Sequence, residues 1–145
     1  MKILVTGFMP FGGETVNPAY EAVRCLPAQI AGADIATVEI PVVYKKGPAA
    51  VEAAIDAERP DMVLCVGQAG GRAEITPEFV GINYANFRIP DNEGFQPLST
   101  KLEEDGPDAY FATLPVQAMV DACKEKDVDK AMKAQFNIQP YIDYF

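Results

Sequence analysis

The sequence of 145 residues contains no histidine and no tryptophan. Histidine is the commonest general base in enzymes and the usual imidazole partner of a nucleophilic serine or cysteine, so any catalytic interpretation has to work without it. The three cysteines, Cys25, Cys65 and Cys123, are an odd number without C-x-x-C spacing. This pattern indicates neither a disulfide framework nor a zinc site, and we expect no metal and no cofactor.

Long apolar runs and an excess of basic residues are also missing. The apolar runs extend over only a few residues, too few for a transmembrane helix, and the first residues lack the hydrophobic region of a signal peptide. Twelve Lys and Arg stand against 21 Asp and Glu, a net charge of −9, which disfavours a nucleic-acid-binding or anionic-membrane surface. We therefore expect a cytoplasmic protein that binds neither nucleic acid nor membrane.

The residues that are present have the composition of a folded α/β domain. Hydrophobic residues make up 49% and charged residues 23% of the chain, and apolar β-branched runs alternate with helical patterns, which favours parallel strand pairs with helices packed on the sheet. Asn17-Pro18 is typical of a helix start, with an N-cap followed by proline at the first helical position. The predicted elements are strands at 2–6, 35–43 (interrupted or ended near Pro41), 61–66, 79–84 and 109–114 and helices at 18–26, 48–58 and 115–126.

The charge balance changes near residue 126. Residues 1–123 carry 8 basic and 17 acidic side chains, whereas residues 124–145 carry 4 of each. We therefore predict a domain over 1–126 and a divergent tail over 127–145 that contains a short helix at 129–136. This tail either repacks on the domain or leaves apolar surface through which the chain self-associates as a homo-oligomer.

Three loops that follow predicted strands are candidate sites, and each also has a purely structural interpretation. Phe8 and Phe11 flank Pro10 and could wall a ligand, although aromatic rings more often fill the core. The glycine-rich loop 67–72 could let a substrate approach the backbone, although it matches no phosphate-binding fingerprint and is equally a turn. Glu78 could orient a base or accept a proton, or be a solvated residue of a turn.

The motifs Val5–Gly13, Gly67–Arg72 with Ile75–Glu78, and Arg88–Gly94 resemble those of the pyroglutamyl-peptidase I (pyrrolidone-carboxylate peptidase) family. Asn17-Pro18 fits the same family in the same order, and the resemblance covers about residues 1–126. It implies an α/β fold like that of the phosphorylase/hydrolase-like proteins, a single domain with a central twisted mixed sheet and helices on both faces. In this chain the C-terminal part of that fold would be missing or replaced.

The resemblance also implies an activity, removal of N-terminal pyroglutamate by a cysteine peptidase, with pyroglutamyl peptides as partners. Pyroglutamate is a flat neutral lactam, so its pocket needs aromatic walls and a few amide partners. The implied roles are ring walls for Phe8 and Phe11, amide contacts for Asn17 and Gln68, the triad acid for Glu78, an active-centre arginine for Arg88, and its neighbouring acid for Asp91.

The sequence departs from the family pattern where the resemblance places the reacting groups. The family nucleophile belongs to a Cys-Asn motif near position 141, where this chain reads Gln139-Pro140-Tyr141-Ile142, and the family histidine is absent. We therefore expect an inactive truncated or frame-altered form of the family. The alternatives are a non-catalytic lactam-binding protein and a different enzyme that uses Glu78 and Asp91 as an acid–base pair.

Overall fold

The computed structural model describes residues 1–72 and 75–125, so the predicted tail at 127–145 and its helix at 129–136 lie outside the described residues. These residues group into two compact units, one formed by 1–68 with 88–96 and the other by 69–87 with 97–125. Their elements are β1 (Lys2–Phe8), α1 (Pro18–Arg24), β2 (Gln29–Ile30), β3 (Ala33–Ile40), α2 (Lys46–Glu58), β4 (Met62–Val66), β5 (Val80–Ile82), β6 (Tyr84–Ala85), β7 (Thr100–Lys101), β8 (Ala109–Phe111) and α3 (Val116–Glu125).

The first unit contains a four-stranded mixed sheet of order β2-β3-β1-β4. The central strand β1 is parallel to both β3 and β4, and only β2 runs antiparallel to its neighbour. Ile3 is in register with Ile35 on β3 and with Met62 on β4. The predicted α/β class with a central mixed sheet is confirmed.

Helices α1 and α2 cover opposite faces of this sheet. A Cβ atom on Gly7 would lie 2.8 Å from the Cα of Tyr20, so α1 approaches the sheet on the Gly7 face. The next residue, Phe8, is 3% exposed and packs with Ile40 and with Val51 of α2. Because successive strand residues point to opposite faces, the prediction of helices on both faces is confirmed.

Both helices start and end close to where the sequence places them. Asn17 caps α1, because its Oδ1 accepts a hydrogen bond from the backbone N–H of Ala19 at 3.0 Å, and Pro18 occupies the first helical position. Helix α2 begins two residues before the predicted Pro48, since the N–H of Gly47 already donates to the carbonyl of Val43 at 2.9 Å. It ends at Glu58 and is capped by Arg59, whose φ of 49° takes the chain into the left-handed region.

The second unit contains two short antiparallel strand pairs, β5 with β8 and β6 with β7, followed by α3. The prediction of one continuous strand at 79–84 is wrong, because Asn83 interrupts it. The buried Asn83 side chain donates to the carbonyl of Glu103 at 2.7 Å and accepts from the Glu103 N–H at 2.9 Å. The amide thus pairs with a distant backbone segment and divides the strand into β5 and β6.

Candidate functional site

The candidate site in the first unit lies where the parallel strands β1, β3 and β4 end together. Gly7 is in register with Val66 and Phe8 with Ile40, so the loops that follow these strands start at one edge of the sheet. Open α/β sheets bind ligands at this edge. The loop at 9–13, the segment at 41–45 and Gln68 all follow these strand ends.

The loop after β1 is fixed by three consecutive backbone groups. The N–H of Met9 donates to the carbonyl of Ile40 at 2.9 Å. The carbonyl of Met9 accepts from Nδ2 of Asn17 at 3.0 Å, and the carbonyl of Pro10 accepts from Nδ2 of Asn92 at 2.9 Å. Two asparagine side chains therefore hold the two carbonyls that lie between Phe8 and Phe11.

The two phenylalanines of this loop differ in their surroundings. Phe8 is 3% exposed and belongs to the core cluster with Ile40 and Val51. Phe11 is only half-buried. Phe8 thus fills the core, as the structural interpretation of this loop describes, while Phe11 is partly exposed.

Asn17 is 2% exposed and uses both ends of its amide within the protein. Its Oδ1 caps α1 through Ala19, and its Nδ2 donates to Met9. One side chain therefore fixes the start of the helix and the exit of β1 at once. Its implied contact with a substrate amide stays a prediction, as does that of the half-buried Gln68.

Residues 88–96 form a loop organised around the carboxylate of Asp91, which is 9% exposed. This carboxylate accepts hydrogen bonds from the backbone N–H groups of Tyr44 at 2.7 Å, Glu93 at 2.9 Å and Phe95 at 2.8 Å. Burial alone would raise the pKa of Asp91, but these three N–H donors, helped by the nearby N–H of Gly94, outweigh it and the pKa is lowered. A carboxylate held in its charged form in this way is suited to anchoring a loop and poorly suited to donating a proton.

Further contacts join the same loop to the segment before α2. The rings of Tyr44 and Phe95 stack with centroids 4.7 Å apart, and Lys46 pairs with Glu93. The N–H of Asn92 donates to the carbonyl of Val42 at 3.0 Å. The exposed Arg88 begins this loop.

Sequence reasoning missed Asn92 and Tyr44 as residues of the site. Asn92 lies within the Arg88–Gly94 motif, and the Asp-Asn-x-Gly pattern is typical of a turn in which the Asp side chain binds the backbone ahead of it. That signal predicts the bond from Asp91 to Glu93. It does not predict the partners that lie far away in sequence.

In the second unit, Glu78 lies beside a cation. Nη1 of Arg72 is 3.3 Å from Oε1 of Glu78 and donates to Oγ1 of Thr76 at 2.8 Å, and the side chains of Arg72 and Glu78 are 20% and 23% exposed. Glu78 is therefore half-buried and ion-paired rather than freely solvated. Its role as triad acid stays a prediction.

Cys65 is a poor candidate for a nucleophile. It lies on β4 in register with Thr6, and although the residue is exposed, the protein around its thiol displaces enough water to raise the thiol pKa, which the Thr6 hydroxyl offsets only in part. A raised pKa lowers the thiolate fraction, and the thiolate is the reactive form.

A groove of about 370 Å³ lies along α1 in the first unit. Its lining residues are Pro10, Thr15, Val16, Asn17, Tyr20, Glu21, Arg24 and Glu39. It shares Pro10 and Asn17 with the loop after β1, but Phe11, Gln68 and Arg88 do not line it.

Residues 1–72 and 75–125 show no feature of a metal site or of a membrane span. Among these residues, no group of three or more Cys, Asp or Glu side chains is placed to hold a metal ion. None of the helices described there has the length and apolar content needed to cross a membrane.

Comparison with known proteins agrees with these motifs. A family model described as pyroglutamyl peptidase matches residues 1–136. Pyrrolidone-carboxylate peptidase 1 of Streptococcus pneumoniae is 57% identical over 126 residues, which are 87% of this chain and 59% of that protein. The pyrrolidone-carboxylate peptidase of Enterococcus faecalis is 54% identical over 132 residues, 91% of this chain and 62% of that protein.

Solved structures show the same likeness in the fold. Pyroglutamyl peptidase I of Bacillus amyloliquefaciens superposes with a TM-score of 0.90 at 42% identity, covering 97% of this chain and 68% of that one. A variant of the pyrrolidone carboxyl peptidase of Pyrococcus furiosus gives 0.88 at 33% identity, covering 99% and 71%. The chain spans about three fifths of the length of the curated relatives it matches. Its match over residues 1–136 and its fold lead to one conclusion: the chain belongs to the pyroglutamyl peptidase family.

Proposed function

We propose that this chain recognises N-terminal pyroglutamate, as the lactam-holding part of a pyroglutamyl peptidase, and that the 145-residue polypeptide alone does not hydrolyse the peptide bond. One observation carries the proposal, namely the family match over residues 1–136 in a polypeptide without histidine. Thiol attack on an amide needs a base to take the thiol proton and an acid to protonate the leaving amine. Imidazole supplies both in this class of hydrolase, and this polypeptide contains none.

The fixed loop after β1 supports lactam recognition. Pyroglutamate is neutral and flat, so it is best held by an aromatic surface and by amide groups in fixed positions. The half-buried ring of Phe11 would cover one face of the lactam, with the buried Phe8 supporting the loop from below. Gln68 would exchange hydrogen bonds with the lactam amide, and Asn17 would act through the loop that it holds.

In the same proposal Arg88 would take the role of the active-centre arginine, and Glu78 would be the acid that orients an imidazole. Without that imidazole, Glu78 has no base to orient, and loss of the base or nucleophile in a hydrolase triad costs on the order of 10⁶ in turnover. The raised pKa of the Cys65 thiol argues against a substitute nucleophile.

Two assays on the purified 145-residue chain test the proposal. A fluorogenic pyroglutamyl amide should release no fluorophore above the level of the buffer, before or after treatment with iodoacetamide. Release that alkylation abolishes would overturn the absence of hydrolysis.

Calorimetry should then show binding of pyroglutamyl-alanine and none of prolyl-alanine, which has the five-membered ring without its carbonyl and carries a charge. Equal binding of both dipeptides, or binding of neither, would overturn lactam recognition. Substitution of Gln68 by Ala should weaken binding of the pyroglutamyl dipeptide, and substitution of the exposed Gln117, on α3, provides the matched control.

A further inference from the structure

Asn92 connects the loop after β1 to two other segments of the first unit. Its side-chain Nδ2 donates to the carbonyl of Pro10 at 2.9 Å, across 82 positions of sequence. Its backbone N–H donates to the carbonyl of Val42 at 3.0 Å. A single residue therefore bonds to the segments that follow β1 and β3.

The neighbouring Asp91 gives Asn92 a fixed position from which to act. Three backbone N–H groups bind the Asp91 carboxylate, one of them from Tyr44, and the Asp91 N–H itself donates to the carbonyl of Phe95 at 2.9 Å. The backbone of Asn92 is consequently held on both sides. The Asn92 side chain therefore extends to Pro10 from a backbone that is already fixed. Its hydrogen bond positions the Pro10 carbonyl while ordering little more than the Asn92 side chain, so the further cost in conformational entropy is small.

The carbonyl of Pro10 lies immediately before Phe11. Beyond Phe11 the loop turns through Gly12 and Gly13, whose φ values of 64° and 85° are left-handed, and the N–H of Glu14 returns to the carbonyl of Phe11 at 3.1 Å. Because Pro10 has a fixed φ, the orientation of its carbonyl fixes the direction in which the chain enters Phe11.

We propose that Asn92 is a positioning residue for lactam recognition, which sets the orientation of the Phe11 loop through its bond to the Pro10 carbonyl. This inference rests on the proposed function, in which Phe11 covers the lactam. Asn92 itself does not touch the ligand. It acts by keeping the loop in the one arrangement that presents the Phe11 ring.

The test compares Asn92→Asp, which has the same shape but no donor, with Asn92→Gln, which keeps the donor on a longer chain. Asn92 is exposed, so both variants are expected to fold. Asn86→Asp is the matched control, because it makes the same chemical change at an exposed asparagine of the second unit. The readouts are amide hydrogen exchange by NMR and the affinity for pyroglutamyl-alanine.

In Asn92→Asp, protection of the Glu14 N–H should fall about fivefold, the effect of losing one ordinary hydrogen bond. Protection of the Cys25 N–H, which donates to Ala22 at the end of α1, should stay unchanged. Affinity for pyroglutamyl-alanine should fall about threefold or more, and Asn92→Gln should restore most of both effects. If protection falls equally at the Glu14 and Cys25 N–H groups, or if protection of the Glu14 N–H does not change, the proposal is overturned.

Failure of the two proposals can be told apart. If the unmodified chain binds no pyroglutamyl-alanine, lactam recognition fails, and the exchange of Glu14 alone decides whether Asn92 orients the loop. If the unmodified chain binds and Asn92→Asp binds equally well despite faster exchange at Glu14, recognition stands and the positioning role of Asn92 is overturned.

Discussion

The loop at 88–96 in the first unit and the Arg72–Glu78 pair in the second are held by different kinds of bond. Asp91 and Asn92 bind backbone groups, which, unlike side chains, cannot leave the bond by changing rotamer. Glu78 is held by the guanidinium of Arg72, a long side chain that is 20% exposed. We expect the first arrangement to be costly to remove and insensitive to salt, and the second to be weaker and screened by ions.

Removing the Asp91 carboxylate should have the largest effect. Asp91→Ala leaves three buried or half-buried N–H groups without their acceptor, and we expect the free energy of unfolding to fall by about 3 kcal/mol. Urea denaturation measures this loss. Asp105→Ala, at an exposed position of the second unit, should change the stability by less than about 0.5 kcal/mol. If the two substitutions lower the stability equally, the Asp91 carboxylate does not hold the loop at 88–96 as strongly as we expect.

Asn17→Ala should rank second. It removes the cap of α1 and the bond to the Met9 carbonyl together, and each is worth about 1 kcal/mol, so the expected loss is about 2 kcal/mol. Asn17→Asp separates the two contributions, because aspartate still caps the helix but cannot donate to Met9. A full loss in both variants would contradict a separate contribution from the cap.

Acid should destabilise the first unit through Asp91. Its pKa is lowered in the folded protein, so its contribution is fully present above the unfolded value of about 3.9 and is lost as the pH falls through the folded value. We expect the thermal midpoint to decline below about pH 4. In Asp91→Asn this part of the decline should disappear, and a profile parallel to that of the unmodified chain would exclude Asp91 as its source.

Glu78→Gln should have the smallest effect. The pair with Arg72 is partly exposed, so its removal should cost less than about 1 kcal/mol. The cost should shrink further in 0.5 M NaCl, whereas the cost of Asp91→Ala should not. If salt leaves the loss of stability in Glu78→Gln unchanged, the Arg72–Glu78 pair does not differ from the Asp91 contacts in its sensitivity to ions.

The parts of this architecture that depend on neighbouring residues could be predicted from the sequence. Asn17-Pro18 predicts a helix cap because the cap is satisfied within two residues, and the apolar runs predict strands because burial on both faces leaves a continuous pattern. The bond from Asn17 to Met9 could not be predicted, since either end of an amide can face either neighbour. Which backbone group lies within reach of the Asn17 Nδ2 group depends on the folded chain.

The contacts that could not be predicted join residues that lie far apart in the sequence. Tyr44 lies 47 positions before Asp91, and Pro10 lies 82 positions before Asn92. No local pattern marks a backbone N–H or carbonyl as the partner of a distant side chain, because every residue carries those groups. The division of a predicted strand at Asn83 has the same origin, since its partner Glu103 is 20 positions away.

The two bonds of Asn17 have a consequence for how this protein can change. A substitution selected to improve the start of the helix would also release the chain that leaves the first strand, and a substitution selected to reshape that exit would unsettle the helix. Stability and loop shape therefore cannot be tuned independently at this position. A change in the shape of this loop is therefore better sought at positions other than Asn17.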